Sequence, residues 1–285
     1  MQEKEIKALI SLLDDEDEEI NVHVKEKIHS LGGYAIPYLE SEWENSGLKS
    51  PILQKRIEEL IHNLQFESVI DRLKIWKEGG AIDLLEGMWI ITTYQYPDFS
   101  LEKLRSEIEQ IFYEIWIEFK PNLHPTDQIR ILNSVIFDKL KFGPNTKNFH
   151  SASNSMLNVV FETRKGNPIS LCVIYMLVAQ KLGLPVYGVN LPNLFVLTYK
   201  NDQVQFYINV FNRGLVFYKS DIDNYIGQLN LKASEIFYEP CSNIEIIKRV
   251  LRNLALSFEK TGDNEKLKEI EILMTAISDG SKESF

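Results

Sequence analysis

Apolar residues recur at helical spacing through the first half of the chain. Ile6, Leu9, Ile10, Leu12 and Leu13 form one stripe, and Val22, Val24, Ile28 and Leu31 form the next. Gly32-Gly33 stops the second helix, and Pro37 falls early in a third that carries Ile36, Leu39 and Trp43. At an offset of 33 residues, Val24, Ile28, His29, Leu31, Ile36 and Trp43 correspond to Ile57, Ile61, His62, Leu64, Val69 and Trp76. Similar apolar roles at a fixed offset predict stacked helical repeats. Further helical patterns cover 82–92, 101–119 and 126–141.

The pattern changes after residue 142. Gly143-Pro144-Asn145 predicts a turn, and a helix follows from Ser155 to Arg164. Gly166-Asn167-Pro168 then opens an apolar helix running to about Leu182, with Pro168 in its first turn. Gly183 ends that helix and Pro185 prevents its restart. Its apolar residues fall on nearly every face, which predicts burial on all sides. Strand-like runs follow at Val186–Asn190, Leu194–Tyr199, Val204–Val210 and Leu215–Tyr218, with Asn201-Asp202 as a hairpin turn. Residues 243–278 predict a helical hairpin. Ile247, Val250, Leu251, Leu254 and Phe258 line its first helix, Gly262 ends it, and Asp263 caps the second. The tail from Asp279 has no apolar pattern and is expected to fray.

Leu9 to Glu44 resembles a HEAT-type unit: helix, acidic turn, helix ending in Gly-Gly, next helix. A second resemblance rests on motifs in order. They are Asn154-Ser155-Met156-Leu157, Arg164 to Leu171, Lys181-Leu182-Gly183-Leu184-Pro185, Leu191 to Val196, and Ile208 to Gly214. This series is similar to the bacterial SirB-type branch of the transglutaminase-like superfamily, which commonly ends in a tetratricopeptide-like tail. The resemblance spans roughly residues 125–278. It implies a papain-like fold with Cys at a helix N-terminus, His on a strand and Asp on the next. That layout favours the thiolate and orients the imidazole. Matched singly, the Cys position is Pro168, fifteen residues before Gly183; the His position is Leu194 and the Asp position is Asn209. None of the three is a nucleophile, a base or a carboxylate, so the resemblance implies a degenerate site.

Two other residues compete for a chemical role. Cys172 lies one turn after Pro168, on the same helical face, but its neighbours Leu171, Val173, Ile174 and Met176 are apolar. A small buried hydrophobe is the expected reading. The five histidines are His23, His29, His62, His124 and His150, so none falls in the strand region. His150 could approach the cleft from a loop. In the acidic run from Asp14 to Glu19, Asp15, Asp17, Glu19 and Glu26 sit at EF-hand-like spacings, but Ile20 occupies the required glycine position. Helix capping explains that run without a metal. No metal or cofactor is expected.

Charge narrows the partners. The chain carries 31 basic and 41 acidic residues, a net charge of −10, and residues 1–65 hold 14 acidic against 7 basic. Such a balance argues against a nucleic-acid partner. Two cysteines make no disulfide framework and suggest a reducing compartment. The first residues do not read as a signal peptide, and the longest near-apolar run, Ile169 to Ala179, is about half a bilayer span. No membrane partner is expected, and the chain reads as cytoplasmic.

The expected fold is α+β in three parts. Residues 1–95 form HEAT-like helical repeats and 96–240 a degenerate transglutaminase-like domain with a small antiparallel sheet packed on helices. Residues 241–285 form a tetratricopeptide-like hairpin and tail, and the helices of 96–142 could pack with either neighbour. The expected function is a non-catalytic interaction or regulatory module with a protein partner. The ancestral cleft near Pro168, Asn193 and Asn209 offers room for a peptide or small ligand. The alternative is a cysteine-dependent acyl-transfer or peptide-hydrolysing enzyme using Cys172 with His150.

Overall fold

The computed structural model of the protein describes residues 3–15, 17–46 and 50–278. The tail from Asp279 and Glu16 of the acidic run lie outside the described residues. The fold is α+β, and it forms two compact units that divide between Arg72 and Leu73.

The first unit is helical. It comprises α1 (Glu3–Ser11), α2 (Glu18–His29), α3 (Ile36–Ser46) and most of α4 (Pro51–Glu78). Ile6, Ile10, Leu13, Val24, Ile28, Leu39, Ile57 and Leu64 meet in one core. The acidic turn serves as a cap: Asp17 Oδ1 accepts the Glu19 N–H at 2.9 Å, fixing the start of α2. Gly32, at φ +57°, ends that helical stretch.

The 33-residue match is not a structural repeat. Its first copy bends at Gly32-Gly33, but the second runs unbroken along α4. Gln65 and Phe66 stand where the glycines would be, and neither stops a helix. The apolar positions recur, whereas the punctuation that would make two equivalent units does not.

The second unit continues with α5 (Leu84–Thr93), α6 (Leu101–Trp116) and α7 (Pro125–Asn133), which runs into a π-helical segment, Ser134–Lys139. The predicted turn at Gly143-Pro144 is instead a two-residue strand, β1 (Gly143–Pro144), parallel to β2 (Lys165–Gly166). Its Gly143 and Asn145 N–H groups bond the Arg164 and Gly166 carbonyls, each at 3.0 Å, so the segment is held by distant backbone. Between them lies α8 (Leu157–Thr163).

The apolar helix is α9 (Pro168–Lys181), buried from Ile169 to Ala179 except at Leu177. The sheet follows as β3 (Val186–Leu191), β4 (Leu194–Lys200), β5 (Gln205–Asn209) and β6 (Leu215–Phe217), an antiparallel meander. Asn201 makes the predicted turn between β4 and β5, its Oδ1 accepting the Gln203 and Val204 N–H groups. One face of the sheet packs on α10 (Lys219–Gln228), which the sequence pattern did not announce, through Val189, Leu191, Val196, Tyr207, Ile222 and Ile226. The other face packs on α9 and, through β3, on α11 (Asn243–Thr261), which forms a hairpin with α12 (Asn264–Ile277).

The hairpin is part of this second unit. Asn243 Nδ2 donates to the Ala81 and Ile82 carbonyls, and the Tyr94 hydroxyl donates to Glu269 Oε2 at 2.6 Å. Burial, with Glu269 beside it, pushes the Tyr94 phenol well above its ordinary range. Helix α5 is buried nearly all round and packs on α6, α8 and α11. Residues 73–95, which the sequence grouped with the N-terminal helices, therefore lie within the second unit.

Two substitutions test this architecture. Ile174 is 1% exposed in α9, so Ile174→Asp should cost on the order of 4 kcal/mol or more, read as a collapsed urea midpoint. Gly214 sits at φ +71°, and a Cβ there would meet Asn133 Oδ1 at 1.9 Å. That side chain joins the Gly214 carbonyl to the Tyr175 hydroxyl. Gly214→Ala should therefore cost roughly 2 kcal/mol. Gly227→Ala, in α10 with open space around it, should leave the midpoint unchanged or raised.

Candidate functional site

The start of α9 is set by a reciprocal cap. Asn167 Oδ1 accepts the Ser170 N–H at 2.9 Å, and Ser170 Oγ accepts the Asn167 N–H at 3.1 Å. Pro168 follows at the first helical position, where its missing N–H costs nothing. Gly166 leaves the room this cap needs, because a Cβ there would lie 2.5 Å from Ser170 Oγ. Asn167 Nδ2 bonds Ser155 Oγ at 2.9 Å, tying the cap to the preceding loop. The first turn of α9 is thus rigid before any ligand arrives.

A cavity of about 190 Å³ opens beside that turn. Pro168 and Ile169 form one wall, with Asn193 and Phe195 of the β3–β4 hairpin next to them. Pro192-Asn193 is the two-residue connection, and Asn193 takes the left-handed conformation at φ +58°. Phe149, His150 and Ser151 supply a loop wall, in which Phe149 meets Phe211 edge-on with centroids 6.0 Å apart. Helix α11 closes the cavity with Arg249, Asn253, Leu256 and Ser257.

The structure places the sequence-predicted residues unequally. Pro168 lines the cavity. Leu194 does not: it packs with Val196 and Tyr207 in the cluster beneath α10. Side chains alternate along a strand, so Phe195, one residue later, faces the α9 side. Asn209 shares the face of Tyr207 on β5, and its Oδ1 accepts the Asn212 N–H at 3.0 Å, capping the turn that follows. The cavity lies where the resemblance put it, but Pro168, Leu194 and Asn209 do not converge on it. Leu194 and Asn209 belong to the opposite side of the sheet.

Cys172 is fully buried below the cavity. Its Sγ lies 3.7 Å from the Phe195 carbonyl, and it accepts from the Val210 backbone N–H. Burial pushes this thiol far above its ordinary range, outweighing that backbone bond. Cys241, the other free cysteine, is pushed up to about 12, also by burial. His150 does line the cavity, with Nε2 lying 2.6 Å from Lys260 Nζ. An ammonium has only protons to give, so Nε2 is the acceptor side of this contact.

The contribution of α11 was missed in the sequence, where this helix reads as one half of a hairpin. The signal was present. Arg249, Asn253 and Ser257 follow one another at intervals of four, one polar row beside the apolar face of Ile247, Val250, Leu251, Leu254 and Phe258. That row resembles a solvated face unless something is known to lie across from it.

Comparison with known proteins points to the middle of the chain. The family model of the transglutaminase-like superfamily matches residues 102–252, from α6 to the middle of α11. A UPF0162 protein of Xylella fastidiosa (strain 9a5c) is 29% identical over 211 residues, covering 66% of this chain and 71% of that protein. The UPF0162 protein YchA of Escherichia coli is 24% identical over 192 residues, 66% of this chain and 71% of that protein. Human F-box only protein 21 is 23% identical over 227 residues, 68% of this chain but 36% of that protein. No solved structure matches the chain significantly. With more than half of its length matched by the family model, the chain belongs to the transglutaminase-like superfamily.

Proposed function

We propose that the protein is a non-catalytic member of its superfamily: a cytoplasmic interaction or regulatory module of the SirB-type branch that keeps the cleft without thiol chemistry. The observation that carries this reading is the state of Cys172. It is 0% exposed, its contacts are backbone groups, and burial holds it in the thiol form. A nucleophile must reach substrate as the thiolate, with a base beside it. Pro168 occupies the helix start where the resemblance puts the nucleophile, and the His150 Nε2 that would serve as base is turned to Lys260.

The interaction role rests on the helical first unit, which is acidic and leaves Val22, Tyr34 and Ile52 exposed among its helices. A HEAT-like unit and a tetratricopeptide-like hairpin would offer binding surfaces of the kind helical stacks provide. The partner would be a protein, with the cleft taking a peptide or small ligand. Among the described residues, no helix is long and apolar enough to cross a membrane.

Thiol labelling tests the reading. With iodoacetamide at neutral pH, Cys172 of the native protein should react at least about a hundredfold more slowly than after unfolding, with mass spectrometry identifying the site. Fast native labelling of Cys172 would return the cysteine-dependent enzyme to first place.

A further inference from the structure

We infer that the cleft binds a carboxylate carried on an apolar body, with Arg249 as the anion-binding group. The inference rests on the reading of this cleft as a binding site rather than a reacting one.

The first argument is the charge of the walls. The chain as a whole carries −10, yet among the described residues no Asp or Glu lines this cavity. Its single formal charge is the Arg249 guanidinium, on the middle of α11. One end of that group is committed: Nη1 donates to Asn190 Oδ1 at 3.1 Å and to the Leu191 carbonyl at 3.4 Å. Both acceptors are neutral, and among the described residues no carboxylate pairs with Arg249. The group offers five N–H donors in a planar fork, so the Nη2 and Nε edge remains for an incoming anion.

The second argument is the cost of leaving this cation as it stands. Arg249 is half-buried, and burial, with Arg252 nearby, lowers its affinity for its proton. A desolvated cation whose partners are neutral gains from an anion more than an exposed one does. Asn190 and Leu191 belong to β3, so the guanidinium is held in place before the ligand arrives. Such preorganisation lowers the entropic cost of binding.

The third argument is the rest of the cavity. Pro168, Ile169 and Phe195 form an apolar wall, and Phe149 and Leu256 stand at it 45% and 43% exposed. Asn193 and Asn253 supply neutral amides, and His150 adds an imidazole to the wall. The volume of about 190 Å³ suits a ligand of roughly the size of one capped amino acid, being somewhat larger than a cavity that holds benzene. An apolar side chain against the wall and a carboxylate at Arg249 would use both halves of the site. The C-terminal residue of a peptide and a free apolar carboxylic acid share this chemistry.

Ligand-observed NMR on the full chain separates the outcomes. N-acetyl-L-leucine stands for a peptide C-terminus, octanoate for a free acid, and N-acetyl-L-leucinamide for the same body without the charge. The expected result is saturable millimolar binding of N-acetyl-L-leucine, weakened at least about tenfold in the amide and in Arg249→Gln. Octanoate binding as tightly would make free acids the source, and weaker octanoate binding would make it peptide ends. Equal binding of the amide on the native protein, or no binding of either acid, overturns the inference without any need for a variant. Release of ammonia from the amide would instead overturn the non-catalytic reading, so the two failures are distinguishable.

Discussion

A helix without a polar face has to be surrounded, and in this protein α9 is that helix. It presents Leu171, Cys172, Val173, Ile174, Tyr175 and Met176 in succession, all buried. Several elements of the second unit cover it directly. The sheet lies against it through β3 and β4, α6 and α11 pack on it, and the turn after β5 closes over it. Its N-terminal turn lines a cavity with Pro168 and Ile169. The Asn167–Ser170 cap is what allows this, because it satisfies backbone donors there without needing solvent or a neighbouring helix.

The burial that stabilises α9 also encloses its thiol. A thiol at Cys172 contributes packing and finds a backbone carbonyl, and the same enclosure removes the water and the imidazole that thiolate chemistry requires. Moving a reactive group one turn earlier, to the rim, would restore access. That position holds Pro168, whose ring fixes the helix start and carries no functional group. Stability at a helix start and reactivity at a helix start are competing uses of one residue, and Pro168 serves the first.

The α+β class, the buried helix and the four strands of the meander were legible because each depends on local pattern. Gly166 and Gly183 bracket α9, and the Asn201 turn lies between two alternating runs. Facing was less legible. A strand exchanges its two faces with every residue, so matching a motif to within one position still leaves open whether Leu194 or Phe195 looks toward α9. The 33-residue repeat failed for a related reason. Apolar spacing records which side of a helix is buried, while the end of a helix is written in a few residues such as Gly32, and α4 lacks them. Helix α10 was missed because Lys219–Gln228 commits only Ile222 and Ile226 to the core, too few for a stripe.

The row on α11 shows what a sequence reading has to know before polarity becomes informative. Arg249, Asn253 and Ser257 have the same spacing whether they face water or a cavity wall. Only the packing of α11 against β3 and α9 makes the difference, since it brings the guanidinium within reach of Asn190 and out of bulk water. A charge that reads as surface decoration in one dimension then becomes part of a cavity wall. Helix α11 thus supplies Arg249, Asn253, Leu256 and Ser257 to the wall of the cavity. The cavity's character is set by α11 as well as by the first turn of α9 and the β3–β4 hairpin.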